Sequence, residues 1–246
     1  MKKKKIIIMG ATSGIGREVA LIYIKKGWKV GICGRRLQEL YELKSLSTET
    51  IEIAQIDITT PNAPIILLDL IKRLDGMDIY FHSSGIGKQN HTLDSNIEIE
   101  TLRTNGEGFV RMIDTAFNYF RDNSEEGHIV AITSIAGTKG IGVAPSYSAT
   151  KRFQNTYLQC LSQLIQMKKL NIHITDIRPG FVATNLLNDN YKYPMVLSPE
   201  KVAKKIVKAI EKKQRIHIID WKYRILTFLW QLIPNHIWEH LNIHTH

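Results

Sequence analysis

The chain has 246 residues, of which 43% are hydrophobic, 16 are glycine and only 2 are cysteine. This composition excludes a fibrous or disulfide-built protein and favours one large globular domain. The net charge of +10 lies at the two ends, because residues 6–200 carry 20 basic and 20 acidic side chains whereas residues 201–246 carry 9 and 3. Nucleic-acid binding is not predicted, since no recognition motif lies between the basic ends.

Cellular location is predicted from the cysteines and the apolar runs. Cys33 and Cys160 lie inside apolar periodic segments, which predicts free thiols and a cytoplasmic protein. The apolar run at residues 6–9 is too short for a secretion signal. The run at residues 225–233 is far shorter than the roughly 20 residues that a spanning helix needs, so no transmembrane helix is predicted.

Short β-branched runs alternate with longer segments of helical period, as in a parallel sheet covered by helices on both faces. The sequence predicts one α/β domain over residues 1–220, with seven mostly parallel strands, and a helical extension over residues 221–246. Strands are predicted at residues 5–9, 29–33, 51–56, 78–82, 128–133, 171–177 and 215–219. Helices are predicted at residues 15–26, 36–46, 65–74, 97–120 and 146–168, and another begins at Ser198-Pro199.

A glycine-rich turn, Gly10-Ala-Thr-Ser-Gly14-Ile-Gly16, joins the first strand to the first helix. Gly10 permits a tight turn, Gly14 lets the backbone approach a pyrophosphate, and Gly16 allows close packing of helix on strand. The helix N-terminus supplies N–H donors for the phosphates. This pattern predicts a dinucleotide site, and a plain glycine-rich turn is the alternative. The predicted contacts are Gly10, Thr12, Ser13, Gly14, Ile15 and Gly16.

The second strand ends in two arginines, Arg35 and Arg36, with no acid before Glu39. NAD enzymes usually place an acidic residue here for the ribose hydroxyls, whereas a 2′-phosphate needs cationic donors. The sequence therefore favours NADP(H), with Arg35 as the phosphate ligand and Arg36 or Arg17 assisting. Ordinary solvated arginines and an NAD-preferring enzyme are the alternatives.

The third strand is followed by Asp57 and Ile58, which are both predicted to contact the cofactor. The Asp57 carboxylate could accept a hydrogen bond from the adenine amino group. A turn-forming aspartate is the alternative.

An acid–base pair is predicted on the helix that begins near Ser146. Tyr147 and Lys151 are four residues apart and so share one helix face. A neighbouring cation stabilises a phenolate and lowers the pKa of the phenol toward the range where proton transfer is efficient. Ser134, at the end of the fifth strand, is expected to point its hydroxyl into the same cleft above the strand ends.

Together these residues resemble the short-chain dehydrogenase/reductase family, whose single doubly wound Rossmann-type domain would cover about residues 4–220. The resemblance implies that Tyr147 is the general acid and base and that Lys151 lowers its pKa and holds the nicotinamide ribose. It implies that Ser134 orients the substrate oxygen. Asn105 matches a helix asparagine that positions a water in the proton relay. A homodimer or homotetramer, paired through the long helices at residues 97–120 and 146–168, is also implied.

Another matching segment follows the sixth strand, where the chain carries the family's Pro-Gly-x-Val-x-Thr pattern. The family's Asn-Asn-Ala-Gly after the fourth strand reads His82-Ser83-Ser84-Gly85 here, and Met9 replaces a small or hydroxyl residue. Strand-end hydrogen bonding is therefore expected to differ. The cofactor contacts that the resemblance adds are Gly85, Tyr147, Lys151, Pro179, Gly180, Val182 and Thr184.

The substrate side of the predicted cleft is apolar. A short lid between Thr184 and Ser198 carries Leu186, Leu187, Tyr191, Tyr193 and Met195, which predicts an open pocket for an apolar carbonyl or alcohol. His236, His240 and His244 recur at helical spacing, but terminal histidines rarely form a metal site and no metal is predicted.

The segment after Asp220 holds three of the four tryptophans and follows a lysine-rich helix. Such a segment can lie in an anionic membrane interface, pack on a second subunit or cover the substrate mouth. The sequence thus predicts an NADP-dependent oxidoreductase acting on a carbonyl or secondary alcohol. A non-catalytic NADP-binding redox sensor or scaffold is the alternative outside enzymes.

Overall fold

The computed structural model describes residues 3–123, 126–187 and 192–243, and its seven strands form one parallel sheet. The strands are β1 Lys5–Met9, β2 Lys29–Gly34, β3 Ile51–Gln55, β4 Ile79–His82, β5 Gly127–Ile132, β6 Ile172–Arg178 and β7 Ile216–Ile218. Their order is β3-β2-β1-β4-β5-β6-β7. The order reverses between β1 and β4, and the carboxyl ends of these strands border the crevice where open α/β sheets bind ligands.

Helices connect successive strands and cover both faces of the sheet. They are α1 Gly14–Lys25, α2 Leu37–Lys44, α3 Ala63–Arg73, α4 Ser95–Leu102, α5 Phe109–Asn123, α6 Pro145–Met167, α7 Pro199–Glu211, α8 Trp221–Leu232 and α9 Asn235–Trp238. A π-helix, Arg103–Gly108, joins α4 to α5, and a short 3₁₀ turn, Ile135–Gly137, follows β5. The doubly wound Rossmann-type fold is confirmed.

The core has two layers because strand side chains alternate between faces. In β1, Ile6 and Ile8 pack against α1, α2 and α7, whereas Ile7 and Met9 pack against α3 and α5. All five β1 residues are buried, as expected for a central parallel strand covered on both sides.

The helix predicted at residues 97–120 is interrupted, and this prediction was wrong. It starts earlier, at Ser95, where Asp94 caps the first turn by accepting from the Asn96 N–H at 2.9 Å. The π-helix Arg103–Gly108 then interrupts the α-helical hydrogen-bond pattern between α4 and α5. A Cβ on Gly108 would lie 3.0 Å from the Ile58 carbonyl oxygen. The helix can approach the end of β3 so closely only because residue 108 is glycine.

The C-terminal extension packs on two loops at the carboxyl edge of the sheet. The Tyr223 hydroxyl of α8 donates to the Pro194 carbonyl at 3.0 Å and accepts from the Phe181 N–H at 3.1 Å. The Trp238 indole of α9 donates to the Gly140 carbonyl at 2.7 Å. None of the helices in the described ranges combines the length and the hydropathy needed to cross a bilayer.

Candidate active site

The glycine-rich turn between β1 and α1 is a close-packed backbone cradle. Gly10 has φ +86°, and a Cβ there would lie 2.8 Å from the Ser84 nitrogen. A Cβ on Gly16 would lie only 2.2 Å from the Gly10 carbonyl oxygen. Both positions therefore require glycine, because a side chain would displace the backbone.

The N-terminus of α1 is suited to an anion. Ser13 is the N-cap residue, its backbone is extended, and its side chain makes no capping hydrogen bond. No acidic side chain lies in the first turn to neutralise the positive end of the helix dipole. A dinucleotide pyrophosphate fits this cradle, since glycine backbone and N–H donors are the groups that such a ligand needs. Ile15 is half-buried beside it.

The two arginines after β2 differ in their surroundings. The Arg36 guanidinium donates to Thr12 Oγ1 at 2.7 Å and pairs with Glu39 at 3.4 Å. The Arg35 side chain is exposed and lines a hollow of about 360 Å³ together with Thr59 and Arg103. The Arg35 guanidinium is thus less constrained than that of Arg36, which is hydrogen-bonded to Thr12 of the glycine-rich turn.

Asp57 makes a local turn after β3. Its Oδ1 accepts from the N–H and the hydroxyl of Thr59 at 3.0 and 2.7 Å. Partial burial opposes ionisation, but these hydrogen bonds and the charge of Arg35 hold the pKa of Asp57 below its usual value. Oδ1 therefore has the turn-forming role that was given as the alternative. Adenine recognition by Asp57 stays a prediction. Ile58 is buried against Gly108.

Ser134 and Tyr147 come together at the end of β5. Ser134 caps the 3₁₀ turn by accepting from the Ala136 N–H at 3.0 Å, and its side chain hydrogen-bonds the Tyr147 phenol. Burial raises the pKa of Tyr147, and the Ser134 hydrogen bond only partly opposes this shift. The net direction is opposite to the lowering expected from Lys151, because desolvation of the phenolate dominates.

Lys151 lies one turn after Tyr147 on α6, with its Nζ 5.7 Å from the centre of the Tyr147 ring. The side chain is buried, and Nζ donates to the Ile132 carbonyl at 3.2 Å and to Gln154 Oε1 at 3.0 Å. Burial lowers the pKa of Lys151 to about 8, and the negative charge of buried Asp176 opposes this shift.

Asn105 lies in the π-helix, fully buried against the same site. Its side chain accepts from the Ile86 N–H at 2.9 Å and donates to Thr150 Oγ1 at 3.2 Å. Its main-chain carbonyl accepts from Gln154 Nε2 at 2.8 Å. A Cβ on Gly85 would lie 3.2 Å from Asn105 Oδ1, so Gly85 allows this approach. The water-positioning role of Asn105 stays a prediction.

The segment after β6 closes the other side of the crevice. The Pro179 carbonyl accepts from the Ile135 N–H at 3.1 Å, next to Ser134. Thr184 lies over the glycine-rich turn, since its Cγ2 is 3.0 Å from where a Cβ on Gly14 would lie. Val182 is buried and bridges to Leu197. Gly180 differs from expectation in one respect, because the Tyr223 ring of α8 occupies the space of its missing side chain.

The unusual run His82-Ser83-Ser84-Gly85 begins at the last residue of β4. His82 is fully buried, and its Nδ1 lies 3.1 Å from the Tyr80 hydroxyl. Burial and the charge of Lys151 lower the pKa of His82 to about 3, so the ring is neutral. The Ser83 N–H donates to the Met9 carbonyl at 2.8 Å, which joins the ends of β1 and β4.

Comparison with known proteins gives the same classification. The family model of the short chain dehydrogenases matches residues 4–193. The chain belongs to the short-chain dehydrogenase/reductase family.

Several known proteins are similar to this chain over most of its length. An uncharacterized oxidoreductase of Myxococcus xanthus is 26% identical over 251 residues, covering 97% of this chain and 96% of the relative. The closed form of serine dehydrogenase complexed with NADP+ is 25% identical, with a TM-score of 0.75 over 84% of this chain and 88% of that one. A short chain dehydrogenase/reductase from Burkholderia phymatum in complex with NAD is 16% identical, with a TM-score of 0.83 over 93% and 92% of the chains.

Membership of this family makes the protein an oxidoreductase. Three residues at the site were not found from the sequence. Gln154 and Asp176 approach Lys151, and Arg103 faces the Arg35 hollow. The i,i+3 spacing of Lys151 and Gln154 is the one local signal that was available.

Other predictions concern the lid and the terminal histidines. Leu186, Leu187, Tyr193 and Met195 are all at least partly exposed, whereas Tyr191 lies outside the described residues. His236 and His240 are exposed, and His240 Nδ1 lies 2.6 Å from the His236 carbonyl. His244 also lies outside the described residues. Within the ranges that the structure covers, no group of three or more histidine, cysteine, aspartate or glutamate residues is placed to hold a metal ion.

The cradle predicts a strong effect of Gly16→Ala on dinucleotide binding. The added methyl group would collide with the Gly10 carbonyl and open the turn. We expect dinucleotide affinity, measured by fluorescence titration of the reduced cofactor, to fall about tenfold or more. Gly142→Ala is the matched control, because a Cβ there meets open space. Equal affinities of the two variants would contradict the assigned cradle.

Proposed function

We propose that this protein is an NADP(H)-dependent oxidoreductase that reduces a carbonyl or oxidises a secondary alcohol, with Tyr147 as general acid and base. The observation that carries the proposal is the meeting of Ser134, Tyr147 and Lys151 at one end of the sheet, beside the glycine-rich turn. A bare dinucleotide site does not need a partly buried phenol next to a buried ammonium. A catalytic proton transfer does.

Proton transfer follows from the environment of the phenol. Because burial raises the pKa of Tyr147, its hydroxyl is protonated at neutral pH and can give a proton to a carbonyl oxygen. The dinucleotide, when bound, supplies the hydride for the carbonyl carbon. Ser134 orients the substrate oxygen by hydrogen bonding. The Lys151 ammonium stabilises the phenolate that remains, and in the reverse direction Tyr147 takes the alcohol proton.

Tyr147→Phe tests the catalytic assignment. It removes the acidic proton and leaves the ring, so turnover of a carbonyl panel should fall about a hundredfold or more while NADPH binding is retained. Turnover is measured by NADPH absorbance, with Tyr41→Phe on the surface as control. Unchanged turnover would contradict the role of Tyr147. A wild type that binds NADPH but turns over nothing in the panel would favour the redox sensor.

NADP(H) is the proposed dinucleotide because Arg35, an exposed arginine directly after β2, borders an open hollow. The Arg35 guanidinium lines the hollow with Arg103, and Arg36 is held by Thr12 and Glu39. The solved structure of serine dehydrogenase, similar in fold, is complexed with NADP+. A 2′-phosphate at this hollow would receive charge-assisted hydrogen bonds.

Arg35→Ala tests the cofactor preference. Loss of the guanidinium should weaken NADPH binding about tenfold or more and leave NADH binding nearly unchanged, because only NADPH carries the 2′-phosphate. Dissociation constants for both cofactors are measured by fluorescence titration. A variant that keeps its NADPH affinity, or a wild type that prefers NADH, would contradict the assignment.

The C-terminal extension is proposed to dock on an anionic membrane surface. One face of α8 is apolar and points outward, with Trp221, Phe228 and Leu232 each more than 60% exposed and Ile225 and Leu229 beside them. The inner face holds Tyr223 and Thr227. This is the reverse of a soluble surface helix, whose polar side faces water.

Basic side chains lie on α8 and next to its first turn. Lys222 and Arg224 are exposed on α8, and Lys205 of the lysine-rich helix α7 pairs with Asp220 at 3.0 Å. An outward apolar face that bears tryptophan and is flanked by cations matches the chemistry of an anionic bilayer interface. Because α8 also contacts the lid at Pro194, docking would bring the substrate cleft close to apolar compounds. An apolar carbonyl or alcohol is the proposed substrate of this cytoplasmic, membrane-peripheral enzyme.

Self-association stays a prediction for the long helices. Ile99 and Leu102 of α4 and Phe153 of α6 are exposed apolar residues that border one hollow, with about 690 Å³ of space. This surface is separate from the outward face of α8, so a homodimer or homotetramer and membrane docking are compatible.

Vesicle sedimentation tests the docking surface. The wild type should sediment with phosphatidylserine-containing vesicles and much less with pure phosphatidylcholine. Ile225→Glu/Leu229→Glu should reduce the bound fraction about tenfold. Ile65→Glu/Leu68→Glu, which alters exposed apolar residues on α3, is the matched control. Equal sedimentation of both variants would reject membrane docking. Loss of an oligomer without loss of vesicle binding would instead assign the face to a second copy of the chain.

A further inference from the structure

The Lys151 ammonium is held by few protein groups. Its side chain is only 4% exposed, and among the described residues its N–H groups reach two acceptors, the Ile132 carbonyl and Gln154 Oε1. An ammonium has three N–H donors, so one stays free for a ligand. The Gln154 bond, at 3.0 Å, is the shorter of the two.

Gln154 is itself fully buried and uses both ends of its amide. Nε2 donates to the Asn105 carbonyl at 2.8 Å, and Oε1 accepts from Lys151. The amide can point only this way, because a flipped group would place its NH₂ against the ammonium and its oxygen against the carbonyl. The main chain of the π-helix therefore fixes which atom of Gln154 faces Lys151.

The result is a buried chain of hydrogen bonds from the π-helix to the ammonium. It links Asn105 to Gln154 and Gln154 to Lys151 across 49 residues of sequence. Lys151 in turn stands 5.7 Å from the centre of the Tyr147 ring. Without the Gln154 acceptor, the ammonium would keep only the longer bond to Ile132 while remaining buried.

We propose that Gln154 is a positioning residue that keeps Lys151 protonated and directed toward Tyr147, with its amide oriented by the Asn105 carbonyl. The inference rests on the proposed function, because it assigns Gln154 to the same proton transfer. It concerns the state of Lys151, which can also be measured without turnover.

Three other titratable groups lie near Lys151. Asp176 on β6 is buried, and its negative charge favours the ammonium. His82 on β4 is neutral, so it adds no charge, and Tyr147 on α6 is protonated at neutral pH. Removal of the Gln154 oxygen leaves the desolvation of Lys151 opposed mainly by Asp176. The pKa of Lys151 should therefore fall further below its ordinary value.

The test is a titration of Lys151 by NMR of protein labelled at lysine ¹³Cε, with the signal assigned by its loss in Lys151→Met. The wild-type midpoint is expected near 8. Gln154→Met has similar volume and no acceptor, and it should lower the midpoint by about one pH unit. Gln154→Glu keeps an acceptor and adds negative charge, so it should raise the midpoint. Gln159→Met, on the exposed side of α6, should leave it unchanged.

A second readout is the pH profile of NADPH-dependent reduction. If Lys151 must be charged, the pH at which activity falls should move down in Gln154→Met, in step with the NMR midpoint. Unchanged midpoints in both Gln154 variants would overturn the positioning role. A wild type that titrates as expected but reduces no substrate would instead contradict the proposed function and leave the Lys151–Gln154 pairing supported. If Gln154→Met does not fold, as judged by its melting curve, the upward shift in Gln154→Glu decides.

Discussion

A buried positive charge organises this site. Lys151 is almost completely removed from water, and a charge in that position is costly unless polar groups replace its hydration. The replacements come from separate elements of the fold: the Ile132 carbonyl at the end of β5, Gln154 on the next turn of α6, and the field of Asp176 at the end of β6. Asp176 is held in turn by Thr133, Asn155 and Arg178. The stability of the buried ammonium thus depends on the way α6 packs against the sheet.

The sheet topology explains why the charge and the glycine-rich turn share one edge. Parallel strands end on the same side, and the order reverses between β1 and β4, so the loops after these strands border one crevice. Short backbone contacts hold the loops together, including Ser83 to Met9 and Ile135 to Pro179. Thr184 lies against Gly14, which joins the phosphate cradle to the segment after β6. The proposed dinucleotide site and the proposed proton-transfer site therefore lie in one cleft.

The sequence predicted the features that depend on local pattern. The strands, the glycine-rich turn with its helix and the Tyr147–Lys151 face follow from periodicity and spacing, and the structure has them within a few residues. Features that depend on distant partners were not predictable in this way. Nothing in the local pattern indicates that Gln154 reaches Asn105, that Thr12 holds Arg36, or that Tyr223 fills the space beside Gly180. The predicted lowering of the Tyr147 pKa was wrong for the same reason, since desolvation depends on the whole surrounding structure.

The most direct measurement is a crystal structure of the protein with NADP+ bound. We expect the pyrophosphate on the Gly10–Gly16 turn, the 2′-phosphate near Arg35, and the nicotinamide ribose within hydrogen-bonding distance of Lys151 Nζ. The Ser134 and Tyr147 hydroxyls should both face the nicotinamide ring. A dinucleotide bound away from the carboxyl ends of β1 and β4, or a nicotinamide ring out of reach of Tyr147, would contradict the assignment of the site.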